Sequence, residues 1–334
     1  MRNQRKDKQL NRKTLLNSGA VFISELVKLC KASAINPDVT EALITEVLHS
    51  IFFLGHIHES AQCKPIVPQD FFTSEETYES FLKDFPKAFE QYCSFLPTRT
   101  PFSILLEVVT KMTECSDHSA VLKKLGDFCN AMAAKEIDDQ YRNCYTLRST
   151  VVSTCNFQDE TGKSSSVYYG ASLSCSGKVE TKIMIALSCI HTWDDAVAHA
   201  VQNGENGAFL QLPDGVKCRA YKWNPTTGDF MEEPPCEKCH RIFRNINYQP
   251  EYTESDKTAQ WHYGNCAETE CLSHLLRGEE KVKSETVAYH LNEEQAVDKA
   301  EIMKKLKKRT AEWLRSRGFR ITADEIHSRF FHAN

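Results

Sequence analysis

The chain has 334 residues, 41% of them hydrophobic, and a net charge of −4. That much apolar content suffices for one large core or two ordinary ones, and it excludes a disordered or fibrous chain. The mild negative charge excludes general nucleic-acid binding over the whole surface, so any polyanion contact is expected to be local. No run approaches the roughly 18 consecutive apolar residues of a membrane span, so a soluble protein with no membrane span is expected.

The first residues, MRNQRKDKQLNRK, are basic and lead into an amphipathic pattern instead of a secretory signal. The expected location is cytoplasmic, and a nuclear reading of the basic run stays open. From 13 to 148 the pattern is helical. LNSGAVFISELVKLCKASAI and NPDVTEALITEVLHSIFFLG carry apolar residues at three-to-four spacing, the second with Asn36-Pro37-Asp38 as a start and Gly55 as a stop. TSEETYESFLKDFPKAFEQYCSFL, PFSILLEVVTKMTECS and HSAVLKKLGDFCNAMAAKEID continue the style, giving a helical domain of about five helices. Its Leu and Phe stripes read as core, and it carries no visible chemistry. A protein partner on this domain is one expectation.

After Tyr145 the texture changes to β-branched and aromatic alternation in TLRSTVVSTC, SSSVYYGASLSCSG and KVETKIMIALSCI. HTWDDAVAHAVQNG predicts a helix begun by Thr192 or Asp194 and ended by Gly204, and strands follow in GAFLQLP and VKCRAYKWNP around Pro213-Asp214-Gly215. The expected fold class is α+β: an all-helical domain at 13–148, an α/β domain at 149–290, and a basic C-terminal helical tail at 291–334. Ile302, Leu306, Trp313 and Leu314 stripe the tail helix; its basic residues suit either a solvated face or an acidic or nucleic-acid partner.

Of the 14 cysteines, Cys30, Cys93, Cys129, Cys144 and Cys189 are scattered singly and read as small buried hydrophobes. Cys236, Cys239, Cys266 and Cys271 form a local cluster. Pro234 and Pro235 place Cys236 at the start of a helix through Lys238, Ile242 and Phe243, with Cys239 on the same face. Gly264-Asn265 turns into a second helix, CAETECLSHLL, closed by Gly278, with Cys266 at its first turn and Glu268 two residues on. Two helix N-termini aimed at one point would offer three thiolates and a free carboxylate, a set for zinc with an open fourth position.

This inventory resembles the zinc-dependent cytidine deaminase superfamily, whose members carry Cys-Ala-Glu or His-x-Glu on one helix and Pro-Cys-x-x-Cys on the next. The resemblance matches Cys266 to the first ligand, Glu268 to the catalytic proton shuttle, and Cys236 and Cys239 to the pair after Pro235. It implies a zinc cofactor, a nucleobase-containing substrate, and hydrolytic deamination of a cytosine or adenine base. It covers at most residues 145–280. The family's order is reversed here, which implies a circular permutation or the same ligand set on another scaffold.

Other readings share these residues. CEKCH matches a haem attachment pattern without the expected context, and a thioredoxin-like pair would stand after the first strand of a small α/β unit. A structural zinc site of three cysteines and one histidine, or of four cysteines, would be completed by His240, His262 or Cys271. It would make the chain an inactive interaction protein and leave Glu268 and Glu270 as ordinary first-turn acids. Trp223, Tyr248, Tyr252, Trp261 and Tyr263 suit base stacking or core packing. His191 and His199 suit core or surface, and the segment after Asn247 reads as a loop bordering a pocket.

Overall fold

The computed structural model describes residues 2–58, 65–113, 117–135, 146–175, 177–254, 261–289 and 299–333. Cys144, the opening of the tail at 291–298 and the loop residues 255–260 lie outside them. The chain divides into two compact units, Met1–Arg148 with Ser174–Leu187 and Lys307–Asn334, and Ser149–Leu173 with Ser188–Leu306.

The first unit is helical: α1 (Arg2–Lys31), α2 (Pro37–Ile57), α3 (Glu75–Asp84), α4 (Pro86–Gln91), α5 (Pro101–Met112), α6 (His118–Ala133) and α7 (Lys178–Leu187). Asn36 caps α2 by accepting from Asp38 N at 2.8 Å. Gly55 does not stop this helix, which runs to Ile57. It serves packing instead: a Cβ on Gly19 or on Gly55 would meet the Phe71 ring. Pro86 divides one expected helix into two because an interior proline removes a backbone donor and crowds the preceding turn.

The segment KVETKIMIALSCI is helix α7 and a π-helical turn at Ser188–Thr192, not a strand. Ile183, Met184, Ile185, Ala186 and Leu187 are all buried, and a run buried all round carries no period to tell helix from strand. The α7 segment joins the first unit through Ser174 Oγ, which accepts from Phe102 N at 3.2 Å, and through the Glu180–Arg317 ion pair at 3.1 Å. The chain's end packs there too. Leu96 N donates to Arg329 O at 2.7 Å and Phe331 N to Leu96 O at 2.8 Å, with Phe319, Phe330 and Phe331 buried.

The second unit holds two sheets. In the first, β2 (Tyr168–Ala171), β1 (Val151–Phe157) and β4 (Val216–Trp223) run antiparallel, and β4 shares its far edge between β5 (Phe230–Glu233), antiparallel, and β7 (Asn247–Gln249), parallel. In the second, β3 (Phe209–Gln211) pairs in parallel with β6 (Phe243–Arg244) and antiparallel with β8 (Val287–Tyr289). Thus β3 and β4, adjacent in sequence, belong to different sheets. The unit's helices are α8 (Asp195–Asn203), α9 (Glu237–Ile242), α10 (Ala267–Gly278) and α11 (Glu280–Glu285). Asp194 caps α8 and Gly204 follows its end, as the sequence leads one to expect.

The last long helix, α12 (Lys299–Ser316), buries Leu306, Ala311 and Leu314 while Lys304, Lys305, Lys308, Arg309 and Arg315 are exposed. Cys30, Cys129 and Cys189 are buried as expected; Cys93 is exposed. No helix among the described residues is long and apolar enough to cross a membrane.

The helical unit encloses His49, fully buried and stacked on Phe331 at 3.9 Å between ring centroids. Burial drives its imidazole pKa down to about 3, against backbone groups of Gln91 and Phe95 that favour the cation. The folded protein therefore holds His49 neutral where the unfolded chain binds a proton. Its contribution is whole above about pH 6.5 and is lost as pH falls toward 3, at up to ~1.4 kcal/mol per pH unit. Urea unfolding across that range is expected to show this slope, and His49→Phe is expected to flatten it.

Candidate metal centre

Helix α10 lies against β1 and β2, and the fit begins at Gly170. A Cβ there would overlap Cys271 N and Ala267 O, so only glycine lets the strand meet the helix backbone. Polar contacts fix the register of that approach. Glu270 Oε2 accepts from Ala171 N at 2.8 Å, Cys271 Sγ donates to Tyr168 O at 3.3 Å, and Cys155 Sγ donates to Cys271 O at 3.1 Å. Ser273 Oγ accepts from Asp194 N at 2.7 Å, tying the helix to the start of α8.

The chain enters α10 through a turn with Gly264 at φ 88° and Asn265 N donating to His262 O at 3.1 Å. Leu173 N donates to Asn265 O at 2.9 Å and anchors the turn to the strand end. Cys266 is the N-cap of α10, in extended backbone with no side-chain capping bond, so its sulfur is spent on neither the helix nor the turn. Cys236 is the N-cap of α9, its Sγ accepting from Cys239 N at 3.5 Å. That helix ends at Ile242, one residue earlier than expected, because Phe243 enters β6.

The two caps face each other. Cys236 Sγ and Cys266 Sγ are 3.3 Å apart, and the sulfurs of Cys236, Cys239 and Cys266 all lie within 4.8 Å of one another. These three residues are close enough to bind one metal ion. Thiolate donors suit soft and borderline ions over calcium or magnesium. The Cys239 and Cys266 thiols donate to Cys236 and hold its sulfur well below the ordinary thiol range, while Cys239 and Cys266 are held above it. Three thiols at this spacing disfavour one another's ionisation, and a bound cation would let all three ionise.

Glu268, in the first turn of α10, is 3% exposed, and its carboxylate lies near the Cys239 and Cys236 sulfurs. Burial, then the negative Cys236, pushes its pKa up to about 7. Glu270 differs: its carboxylate accepts from the strand, so of the two first-turn acids one serves the fold and the other faces the sulfurs.

The three residues weighed as a fourth ligand lie elsewhere. Cys271 Sγ sits 2.7 Å from Cys155 Sγ on the sheet side of α10; the His240 ring stacks on Tyr252 at 4.1 Å; His262 is exposed. None of them joins the group of three among the described residues. Of the aromatics, Trp223, Tyr248 and Tyr263 are buried and Trp261 is 64% exposed. His191 and His199 are half-buried on the π-helical turn and on α8.

The segment after Asn247, expected to border a pocket, contributes Tyr248, Glu251 and Tyr252 to a cleft of about 390 Å³ formed where β6 turns into β7. Asn245 makes this turn at φ 62°, with its amide donating to Leu212 O and Asp214 Oδ1, both at 2.9 Å. Sequence reasoning missed Gly170, although a glycine inside an aromatic strand is a signal of close backbone approach.

No family model, curated protein or solved structure matches the chain. The geometry alone carries two expectations. Cadmium titration is expected to give thiolate-to-metal absorbance saturating at a single ion, reduced by about a third in each of Cys236→Ser, Cys239→Ser and Cys266→Ser. Gly170→Ala, which touches no ligand, is expected to lower stability by about 1–3 kcal/mol through forced separation of strand and helix, and to weaken cadmium binding with it.

Proposed function

We propose that the centre is a zinc site for hydrolytic deamination of a cytosine or adenine base, in which Cys236, Cys239 and Cys266 hold the metal and Glu268 carries protons. The observation that carries this reading is the buried Glu268 carboxylate facing the three sulfurs, while its neighbour Glu270 does the structural work at the strand. Zinc bound there supplies Lewis acidity for hydrolysis. In the overall reaction water replaces the exocyclic amine: C–NH₂ and H₂O become C=O and NH₃. The part of this chain is proton handling. A carboxylate oxygen of Glu268 receives a proton from water and returns it to the departing nitrogen. Burial keeps that oxygen away from bulk solvent, so the proton is delivered to substrate and not lost.

The deaminase-like fold belongs to the same proposal. The antiparallel pair β1–β2 and the helix α10 packed on it, with both cysteine-bearing caps in one unit, support a permuted arrangement of that kind. The rival structural site needs a fourth protein ligand, and the placements of Cys271 and His240 speak against it.

The test pairs metal content with ammonia release. Wild type is expected to bind a single zinc ion and release ammonia from a cytosine or adenine substrate. Glu268→Gln is expected to keep the zinc and lose about 10²–10⁴-fold in rate, and Cys239→Ser to lose both. Full zinc with no ammonia from nucleosides, nucleotides or oligonucleotides of either base would overturn the catalytic reading in favour of a structural one.

A further inference from the structure

Sulfurs come together at two places in the second unit, and the two differ in access. Cys155 Sγ and Cys271 Sγ are 2.7 Å apart, but both residues are closed off, at 1% and 0% exposed. Cys236 Sγ and Cys266 Sγ are 3.3 Å apart, and both residues are half-buried. Cys239, the third member of that group, is buried. A small oxidant from solvent therefore reaches Cys236 and Cys266 and is kept from Cys155, Cys239 and Cys271.

The backbone leaves the two accessible sulfurs free to close. A disulfide holds its sulfurs about 2.05 Å apart, so Cys236 and Cys266 need approach by only about 1.3 Å. Both are helix caps in extended backbone, just ahead of the first helical residues of α9 and α10. Cys266 makes no side-chain capping bond, and the bond that Cys236 Sγ accepts from Cys239 N is long at 3.5 Å. Neither sulfur has to give up a strong structural contact to turn toward the other.

We infer that Cys236 and Cys266 are a reversible oxidation site, which a hydroperoxide converts to a disulfide joining the starts of α9 and α10, with loss of the bound metal. One sulfur, as thiolate, attacks a peroxide oxygen; the O–O bond breaks, hydroxide leaves and a sulfenic acid forms. The second thiolate attacks that sulfur; the S–O bond breaks, another hydroxide leaves and the S–S bond forms. The two sulfurs lose two electrons, the two peroxide oxygens gain them, and two protons from solvent turn the hydroxides into water. Disulfide sulfur carries no charge to hold a cation, and Cys239 alone does not retain one. The inference stands on the geometry of the three sulfurs and does not need the deaminase reading.

Hydrogen peroxide on the full chain tests it, read by peptide mapping without reductant and by a chromogenic chelator that counts released zinc. Cleavage after Lys238 and after Glu268 puts Cys236, Cys239, Cys266 and Cys271 on separate peptides, so the partner of each is read directly. The zinc-loaded chain is expected to join the Cys236 and Cys266 peptides and release its zinc. Its cadmium affinity is expected to fall at least about tenfold, and to return after treatment with dithiothreitol and removal of the reductant. Cys239→Ser, which gives up the metal, and Cys155→Ala, which removes the buried pair, are both expected to keep the cross-link; Cys266→Ser is expected to lose it. Peroxide that leaves Cys236 and Cys266 unlinked, joins either of them preferentially to Cys239, or joins Cys155 to Cys271 first would overturn the inference. So would a Cys236–Cys266 cross-link formed with zinc retained. The cross-link and zinc release, with no ammonia from untreated wild type, would uphold the oxidation site and overturn the deaminase reading alone.

Discussion

The close approach of α10 to the β1–β2 pair is the contact on which the second unit depends. It places backbone against backbone at Gly170, where any side chain would wedge the layers apart. With the helix pinned there, the position of its first turn follows, and so does that of Cys266 and Glu268. The bonds from Ala171 N to Glu270 and from Leu173 N to Asn265 O then fix the helix both along and around its axis. A side chain on a helix held this way needs no further positioning.

The other two cysteines arrive by a different route. Strand β5 leads through Pro234 and Pro235 into the short α9, and β6 and β7 carry the chain back to the sheet on β4. Cys236 and Cys239 are thus bound to the same sheet that holds α10, from its other edge. The two sulfur groups in the unit show what this divides. Cys155 and Cys271 meet on the sheet side of α10 and behave as core, while Cys236, Cys239 and Cys266 meet at the helix starts. Cysteine thus falls to packing where α10 meets the sheet and lies close enough to bind a metal ion where the two helix starts meet.

Much of the centre was legible because caps and turns are local. Pro-Pro-Cys and Gly-Asn-Cys each specify a helix start within a few residues, and both starts occur where expected. The helical character of the described residues from 13 to 133 was legible from apolar spacing for the same reason, as was the Asp194 cap of α8. What was not legible depends on burial and on distant pairing. The run from Ile183 to Leu187 is apolar on every side, so its sequence favours strand and helix alike. The separation of β3 from β4 into two sheets follows from partners that lie far along the chain. Cys271 looked like a fourth ligand by proximity in sequence, and only the rotation of α10 assigns it to Cys155.

The central claim is a centre of three sulfurs whose remaining position is not filled by the protein, with Glu268 beside it. X-ray absorption at the zinc edge of the loaded protein tests this most directly. The account predicts a shell of three sulfurs at about 2.3 Å and one light oxygen-type neighbour at about 2.0 Å, unchanged in Cys271→Ser and His240→Ala. A four-sulfur shell, or the multiple-scattering signature of an imidazole, would contradict it and make the site a closed structural one.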